Sequence, residues 1–261
     1  MATHWRTYPE LIPSQDRHYF ADIDTLLACP SEQVTRDSIS GVSRLGLGAT
    51  YYIKVFAGRK SRLRHLLGVS RYQRELGNLA YFRSLGLHTP DLVAAGYRTR
   101  AGLLQDAVLV TREVGAATDL LDLVRSGRFY ARGRQGARRL LAQLAAATRT
   151  LHADGFYHQD LKPRNVLVTA GDDEPRLYFF DCPRGHRPYR FRFRRCMAKE
   201  LAHIERDLRG RVQRADLMYA YRLYRGCERL SSADKQLARE ALSYYAERRM
   251  TAERRSRLKV Q

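Results

Sequence analysis

Tyr157–Val168 reads YHQDLKPRNVLV, placing an imidazole (His158), a carboxylate (Asp160), an ammonium (Lys162) and a carboxamide (Asn165) within eight positions before running into a β-branched stretch. Taken alone, H-x-D followed by Pro and Asn is what an ordinary surface turn ahead of a strand also contains. The constraint comes from the residues downstream. NVLV predicts a short strand, AGDDEP a turn and RLYFFD a returning strand, so the hairpin brings Asp181 back to the end where Asn165 sits.

An Asn and an Asp on adjacent strand ends supply hard oxygen donors suited to Mg²⁺. Asp160, a few residues earlier on the same loop, is free to accept a proton from a hydroxyl. One acid orienting a nucleophile, with an amide and a second acid for a metal, is the layout phosphoryl transfer uses. Such a site needs a cation for the phosphates, and Lys54 inside the apolar strand YYIKVF is the candidate. A lysine there is costly unless it is paired or faces solvent at an edge. Glu75, beside the apolar stripe Tyr72, Leu76, Leu79 and Phe82 of a predicted helix, is the partner the pattern offers, although a solvated helix glutamate fits the same spacing.

In chain order, the first forty residues are polar and weakly patterned, which predicts an extension with little regular structure. GVSRL and TYYIKVF, joined by GLGA, predict an antiparallel hairpin whose glycines permit positive φ. A basic link, AGRKSRLRHLLG, leads to the helix just described, and AVLVTREV is a further strand. Beyond residues 112–117 the chain turns mainly helical: LLDLVRSG, GARRLLAQLAAATRTLHADG and most of 196–250. HRPYRFRFRR (186–195) alternates aromatics with arginines and reads as one strand-like basic edge beside the catalytic loop, either a solvated strand with its aromatics folded under or a grip for a phosphate-rich glycolipid acceptor or nucleic acid. His158 reads as a packing residue without chemistry, and His152 and His203, single histidines on helical segments, read as core or surface residues.

An apolar share of 44% fits a folded chain. The N-terminal sequence breaks its apolar residues with charges, so no secretory leader is expected, and no run approaches the ~20 apolar residues of a membrane span. Four scattered cysteines without a C-x-x-C pair fit reduced thiols and a cytoplasmic setting. The net charge of +20 is almost all arginine, whose planar fork matches phosphate, so anionic partners are favoured; arginine-rich codon usage is the alternative source.

YHQDLKPRNVLV resembles the catalytic loop of the protein-kinase-like superfamily, and RLYFFD resembles its metal-binding strand end. From about residue 34 to 226 the chain resembles the lipopolysaccharide kinase (Kdo/WaaP) family, on TYYIKVF, RELGNLAYFRSLGLHTPDLVAAGYR, AVLVTREV, LHADGFYHQD, YFFD and KELAHIERD. The resemblance implies an α+β, bilobal protein-kinase-like fold. Its small antiparallel-sheet N-lobe with one helix would span 34–114, its larger, mainly helical C-lobe 115–261, and residues 1–33 would form an N-terminal extension. It implies ATP and Mg²⁺, with Asp160 as catalytic acid/base, Lys162 on the γ-phosphate, and Asn165 and Asp181 on the metal. Lys54 with Glu75 would anchor the phosphates, Gly41 would lie in the turn covering them, and adenine would dock on the backbone of Arg112, Glu113 and Val114. The implied reaction is transfer of the γ-phosphate to a sugar hydroxyl, on heptose or Kdo, of the lipopolysaccharide inner core. The implied partners are a phosphorylated or anionic glycolipid and anionic inner-leaflet lipid, with the chain peripheral on the cytoplasmic face and nucleic acid not expected.

Several departures matter. No G-x-G-x-x-G precedes TYYIKVF, Asp181 is followed by Cys182 and Pro183, Gln159 replaces an arginine common in regulated kinases, and no A-P-E-like segment occurs. These predict activity without loop phosphorylation. LKPRN is closer to Ser/Thr protein kinases, which keeps that activity as an alternative. A non-catalytic kinase-like module binding nucleic acid or partners is a third reading, opposed by the presence together of Lys54, Asp160, Asn165 and Asp181.

Overall fold

The structure is a computed structural model that describes residues 1–57, 70–169 and 175–257, with side chains described as far as residue 246. The expected basic link (58–68) and the turn at 170–174 lie outside the described residues. The chain falls into two compact units, residues 1–84 with 89–115, and residues 85–88 with 116–261.

The first unit is built on a six-stranded antiparallel sheet in the order β1-β5-β6-β4-β3-β2. Its strands are β1 (Ala2–Thr7), β2 (Glu32–Arg36), β3 (Ser40–Gly46), β4 (Thr50–Ala57), β5 (Leu92–Arg100) and β6 (Leu103–Arg112). The period-2 pattern of β4 divides its side chains between two apolar layers. Tyr51 and Ile53 join Val108 and Val110 of β6 and meet Ile12, Phe20, Ile23 and Leu26. Phe56, with Ala107 and Leu109 of β6, meets Tyr72 and Leu79 of helix α2 (Arg71–Ser84). Lys54 alternates onto the same side as Phe56, which is the side that α2 covers.

Residues 1–33 are therefore not the weakly structured extension that their polarity suggests. β1 pairs with β5 from Ala2↔Thr99 to Thr7↔Ala94. Two 3-10 turns and α1 (Ile23–Ala28) then lay Ile12, Phe20, Ile23 and Leu26 over the sheet face of Tyr51 and Ile53, which would otherwise be an exposed apolar surface. Asp16, buried in this cover, accepts hydrogen bonds from Gly48 N (2.9 Å), Ala49 N (2.9 Å) and the Tyr51 hydroxyl (2.7 Å). Burial, reinforced by Asp16, pushes the Tyr51 hydroxyl above its ordinary range.

The β3–β4 hairpin forms as expected, from Ser40↔Phe56 to Gly46↔Thr50. The reason for its glycines is different from the one expected, because neither Gly46 nor Gly48 adopts positive φ. A Cβ on Gly48 would stand 2.1 Å from Gln15 Nε2 and 2.7 Å from Asp16 Oδ1, so the residue serves the close approach of the N-terminal segment.

The second unit holds a three-stranded sheet, β7 (Ala117–Asp119), β8 (Val166–Thr169) and β9 (Leu177–Phe179), in that order. Around it are α3 (Leu120–Arg125), α4 (Gly133–Ala153), α5 (Arg190–Leu208), α6 (Arg214–Arg225) and α7 (Ser232–Arg257). α4 packs on α6, and α5 packs on α7. The strand-like edge expected over 186–195 is corrected: Arg190 onward is the first part of α5. The alternation of aromatic and basic residues spans only six positions, and the longer helical pattern burying Ala198, Ala202 and Leu208 overrides it. Among the described residues no helix is long and apolar enough to cross a membrane.

Candidate active site

In the first unit the placement of Lys54 is decided by pairing. Its Nζ donates to both carboxylate oxygens of Glu75, at 2.8 and 2.7 Å, and the side chains are only 14% and 5% exposed. Glu75 is thus buried among the apolar residues of α2, which excludes the solvated-glutamate alternative. The ammonium also lies 5.2 Å from the Phe56 ring centroid, where the π face favours a cation.

The turn ahead of β3 is Asp37-Ser38-Ile39, and the Asp37 carboxylate accepts from Ile39 N and Ser40 N, both at 2.6 Å. Those backbone bonds, with Arg71 and Lys54 in its field, hold the Asp37 carboxyl below the usual range. Gly41 lies just past this turn, inside the ladder opposite Val55 and Arg36. The expected adenine-docking backbone is partly committed. Arg112 N donates to Asp91 O (2.8 Å) and Glu113 N to Thr50 O (2.9 Å), while the Glu113 carboxylate accepts from the Tyr52 hydroxyl (3.2 Å) and pairs with Arg44 (3.4 Å). The N–H groups of Arg112 and Glu113 are thus used within the first unit.

In the second unit the catalytic-loop residues converge. Lys162 is paired with the Asp160 carboxylate, and Arg164 stands 4.0 Å from it. Burial pushes the Asp160 carboxyl upward, but the Lys162 ammonium, helped by Arg164, outweighs it and holds the group below the ordinary carboxylate range. Asn165 Nδ2 donates to the Asp160 carbonyl at 2.9 Å, with Asp160 Oδ2 at 3.4 Å. Its Oδ1 is thereby left on the other side of the amide, available as a hard donor.

β8 and β9 pair Val166 with Phe179, and Phe180 N donates to Asn165 O (3.4 Å), so Asp181 emerges at the strand end beside Asn165. Among the described residues no group of three or more His, Cys, Asp or Glu is arranged around a metal. One carboxamide and one carboxylate nevertheless fit Mg²⁺, which keeps waters and phosphate oxygens in its shell and needs no all-protein cage.

The backbone singles out the same place. Only three described non-glycine residues have positive φ, and two of them are Gln159 (74°) and Asp181 (57°). Residues other than Gly are held in this region at a cost of about 1–3 kcal/mol, and such strain clusters at functional sites.

Glu200 of α5 supplies part of the restraint, and the sequence reading missed it. Its fully buried carboxylate accepts from Gln159 N at 2.7 Å and meets His152 Nε2 at 2.8 Å, while His152 Nδ1 meets the Tyr224 hydroxyl at 2.8 Å. Glu200 lies on the opposite face of α5 from Ala198 and Ala202, among Cys196, Met197, His203 and Ile204, and nothing local in the sequence marks it as buried. His152 is therefore a packing residue with a polar duty. His158 is wholly buried in the field of Glu200, Asp181 and Asp160, and desolvation keeps its pKa low. His203 is 6% exposed, and burial, with Lys199 and Lys162 close by, pushes its pKa down to about 4.

With this geometry in view, the comparisons with known proteins are decisive about kinship. The sequence model described as "Lipopolysaccharide kinase (Kdo/WaaP) family" matches residues 28–226. The chain belongs to that family. A solved structure titled "WaaP in complex with acyl carrier protein" has the same fold, with a TM-score of 0.68 over 96% of this chain and 98% of that one at 18% identity. CBL-interacting protein kinase 16 of Oryza sativa subsp. japonica is 32% identical over 169 residues, 58% of this chain and 34% of that protein. CDPK-related kinase 4 of Arabidopsis thaliana is 37% identical over 78 residues, 29% of this chain and 13% of that protein. The chain thus spans between about an eighth and a third of the length of these curated relatives.

Proposed function

We propose that the chain is an ATP-dependent kinase that phosphorylates a sugar hydroxyl of the lipopolysaccharide inner core, on heptose or Kdo, acting peripherally at the cytoplasmic face of the membrane. The observation that carries the chemistry is the Asp160 carboxylate, held ionised against Lys162 between two residues in left-handed backbone, Gln159 and Asp181. Family membership supports the acceptor class.

In this reading the Lys54 ammonium, oriented by Glu75, binds the nonreacting phosphates, and Asn165 Oδ1 with the Asp181 carboxylate would hold Mg²⁺. The metal, when bound, would neutralise charge on the β- and γ-phosphates. Asp160 orients the acceptor hydroxyl and takes its proton as the new O–P bond forms and the bond to ADP breaks. Lys162 is the ammonium close enough to that carboxylate to steady the charge on the moving phosphoryl group. The Cys182-Pro183 sequence after Asp181, and the absence of an A-P-E-like segment, support activity without loop phosphorylation.

A Ser/Thr protein kinase is the second reading, favoured by LKPRN and by the protein kinases among the relatives. The discriminating experiment offers [γ-³²P]ATP with core glycolipid from a strain lacking this chain, alongside casein. Label on the glycolipid alone supports the proposal; label on casein alone turns the assignment to the second reading. Mg·ATP should raise the melting temperature, and Asp181→Ala should abolish the rise. An unshifted wild-type protein would contradict both readings.

A further inference from the structure

Helix α5 carries Arg192, Arg195, Cys196 and Lys199 at positions i, i+3, i+4 and i+7, so the four share one face. With Tyr244 of α7 they line a cavity of about 310 Å³. Arg194, between them in sequence, is paired with Glu240 of α7 at 3.1 Å. Among the described residues, no carboxylate forms an ion pair with Arg192 or Arg195. The Arg192 guanidinium rests 5.5 Å from the Phe191 ring centroid, and the Lys199 ammonium lies 5.5 Å from that of Tyr157, the first residue of the catalytic loop.

Two guanidinium forks and an ammonium around one concavity match a phosphate ester better than a carboxylate, because each fork can donate two parallel hydrogen bonds to its oxygens. The position fits an acceptor. From Lys199 the same helix reaches Glu200, which holds Gln159, and His203, which shares the field of Asp160 and Lys162. The span from Arg195 to His203 is on the order of 10 Å of helix. The cavity therefore lies on the same helix that restrains and faces the catalytic loop.

We propose that this cavity is a subsite for a phosphate ester already present on the acceptor, gripped by Arg192, Arg195 and Lys199 while the hydroxyl to be phosphorylated lies at Asp160. The inference rests on the kinase reading above and narrows its substrate class to acceptors that carry a phosphate before the reaction. Tyr189 and Phe191, exposed and stacked at 5.9 Å beside the cavity, make an anionic membrane surface the competing occupant. The recess favours the acceptor because it gathers Arg192, Arg195 and Lys199 within two turns of one helix, a spacing suited to a single discrete group.

The test has two arms. In the first, Cys196 is alkylated with N-ethylmaleimide at pH 8.5, since burial pushes its thiol up, and followed by peptide mass spectrometry apart from Cys29, Cys182 and Cys227. Glucose 6-phosphate should slow alkylation at least threefold, glucose should not, and the protection should vanish in the Arg192→Ala/Arg195→Ala variant. Absence of protection in the wild type would overturn the proposal whatever the protein phosphorylates, so its failure is separable from that of the kinase reading. In the second arm, the double variant should raise the KM for phosphorylated core glycolipid at least tenfold, far more than the KM for ATP. The two proteins should converge on glycolipid stripped of phosphate by hydrofluoric acid. An equal penalty on both acceptors would refute the subsite. So would lost binding to vesicles of phosphatidylethanolamine with phosphatidylglycerol (7:3) while the acceptor KM is unchanged, an outcome that would assign the arginines to the membrane.

Discussion

Replacing Glu200 separates restraint of the catalytic loop from the chemistry done on it. Glu200→Ala removes an acceptor from Gln159 N and from His152 Nε2, at 2.7 and 2.8 Å, inside a region closed to water. Hydrogen bonds to a charged group contribute about 1.5–3 kcal/mol each, and buried groups left without a partner add a desolvation cost, so the second unit should lose about 3–5 kcal/mol. Glu200→Gln keeps one carbonyl for Gln159 N and presents an amide to His152, whose tautomer can adjust against the Tyr224 hydroxyl; its loss should be about 1–2 kcal/mol. The functional effect should follow the release of Gln159 from its left-handed conformation. A residual distortion worth about 1.4–2.8 kcal/mol in the transition state lowers kcat ten- to hundredfold. Urea unfolding gives the first quantity, and phosphoryl transfer at a temperature where every variant is folded gives the second. Glu200→Gln should recover most of the rate, and the KM for ATP should barely move. If Glu200→Ala is folded and turns over within twofold of wild type, the carboxylate does not position the loop.

Asp160→Asn should bind Mg·ATP with an undiminished thermal shift and lose at least a hundredfold in transfer; near-normal transfer would remove Asp160 from its role as base. His203 stays neutral in the native protein down to about pH 4, whereas the unfolded chain takes up a proton near 6.5. Its contribution is therefore complete above pH 6.5 and is lost as the pH falls toward 4, by at most about 3 kcal/mol; His203→Gln should flatten this part of the stability curve measured by urea titration. Asp16→Ala, which leaves Gly48 N, Ala49 N and the Tyr51 hydroxyl without their acceptor, should cost the first unit about 3–5 kcal/mol by the same measurement, and Asp16→Asn less.

Much of the site was legible because its residues sit in short, ordered spacings. Asp160, Lys162 and Asn165 lie on one loop, and the pairing of β8 with β9 that returns Asp181 is a local consequence of VLV and LYFF lying close together in the sequence. The Lys54–Glu75 pair could be inferred from the cost of an unpaired cation in an apolar strand. What escaped were relations across long separations. Glu200 reaches back 41 residues to Gln159, and no local pattern encodes that contact. The N-terminal cover was missed because Ile12, Phe20, Ile23 and Leu26 are spread among charges, and their apolar partners, Tyr51, Ile53, Val108 and Val110, lie far along the chain. The Tyr-Arg-Phe-Arg-Phe-Arg run misled because six alternating residues fit a strand or the first turns of a helix equally well.

The pairing of β1 with β5 also sets a timetable for synthesis. Ala2 leaves the ribosome 97 residues before Thr99, its opposite number, which at 5–20 residues per second is a wait of about 5–20 s. During that interval Ile12, Phe20, Ile23 and Leu26 lack Val93, Ala94, Val108 and Val110, the half of their sheet face that β5 and β6 supply. Until Leu92–Arg100 and Leu103–Arg112 are made, nascent β4 has one open edge and an uncovered apolar face, a surface prone to capture by other chains. Conditions that slow elongation through the codons for residues 57–112 should therefore lower the soluble yield more than equal slowing beyond them.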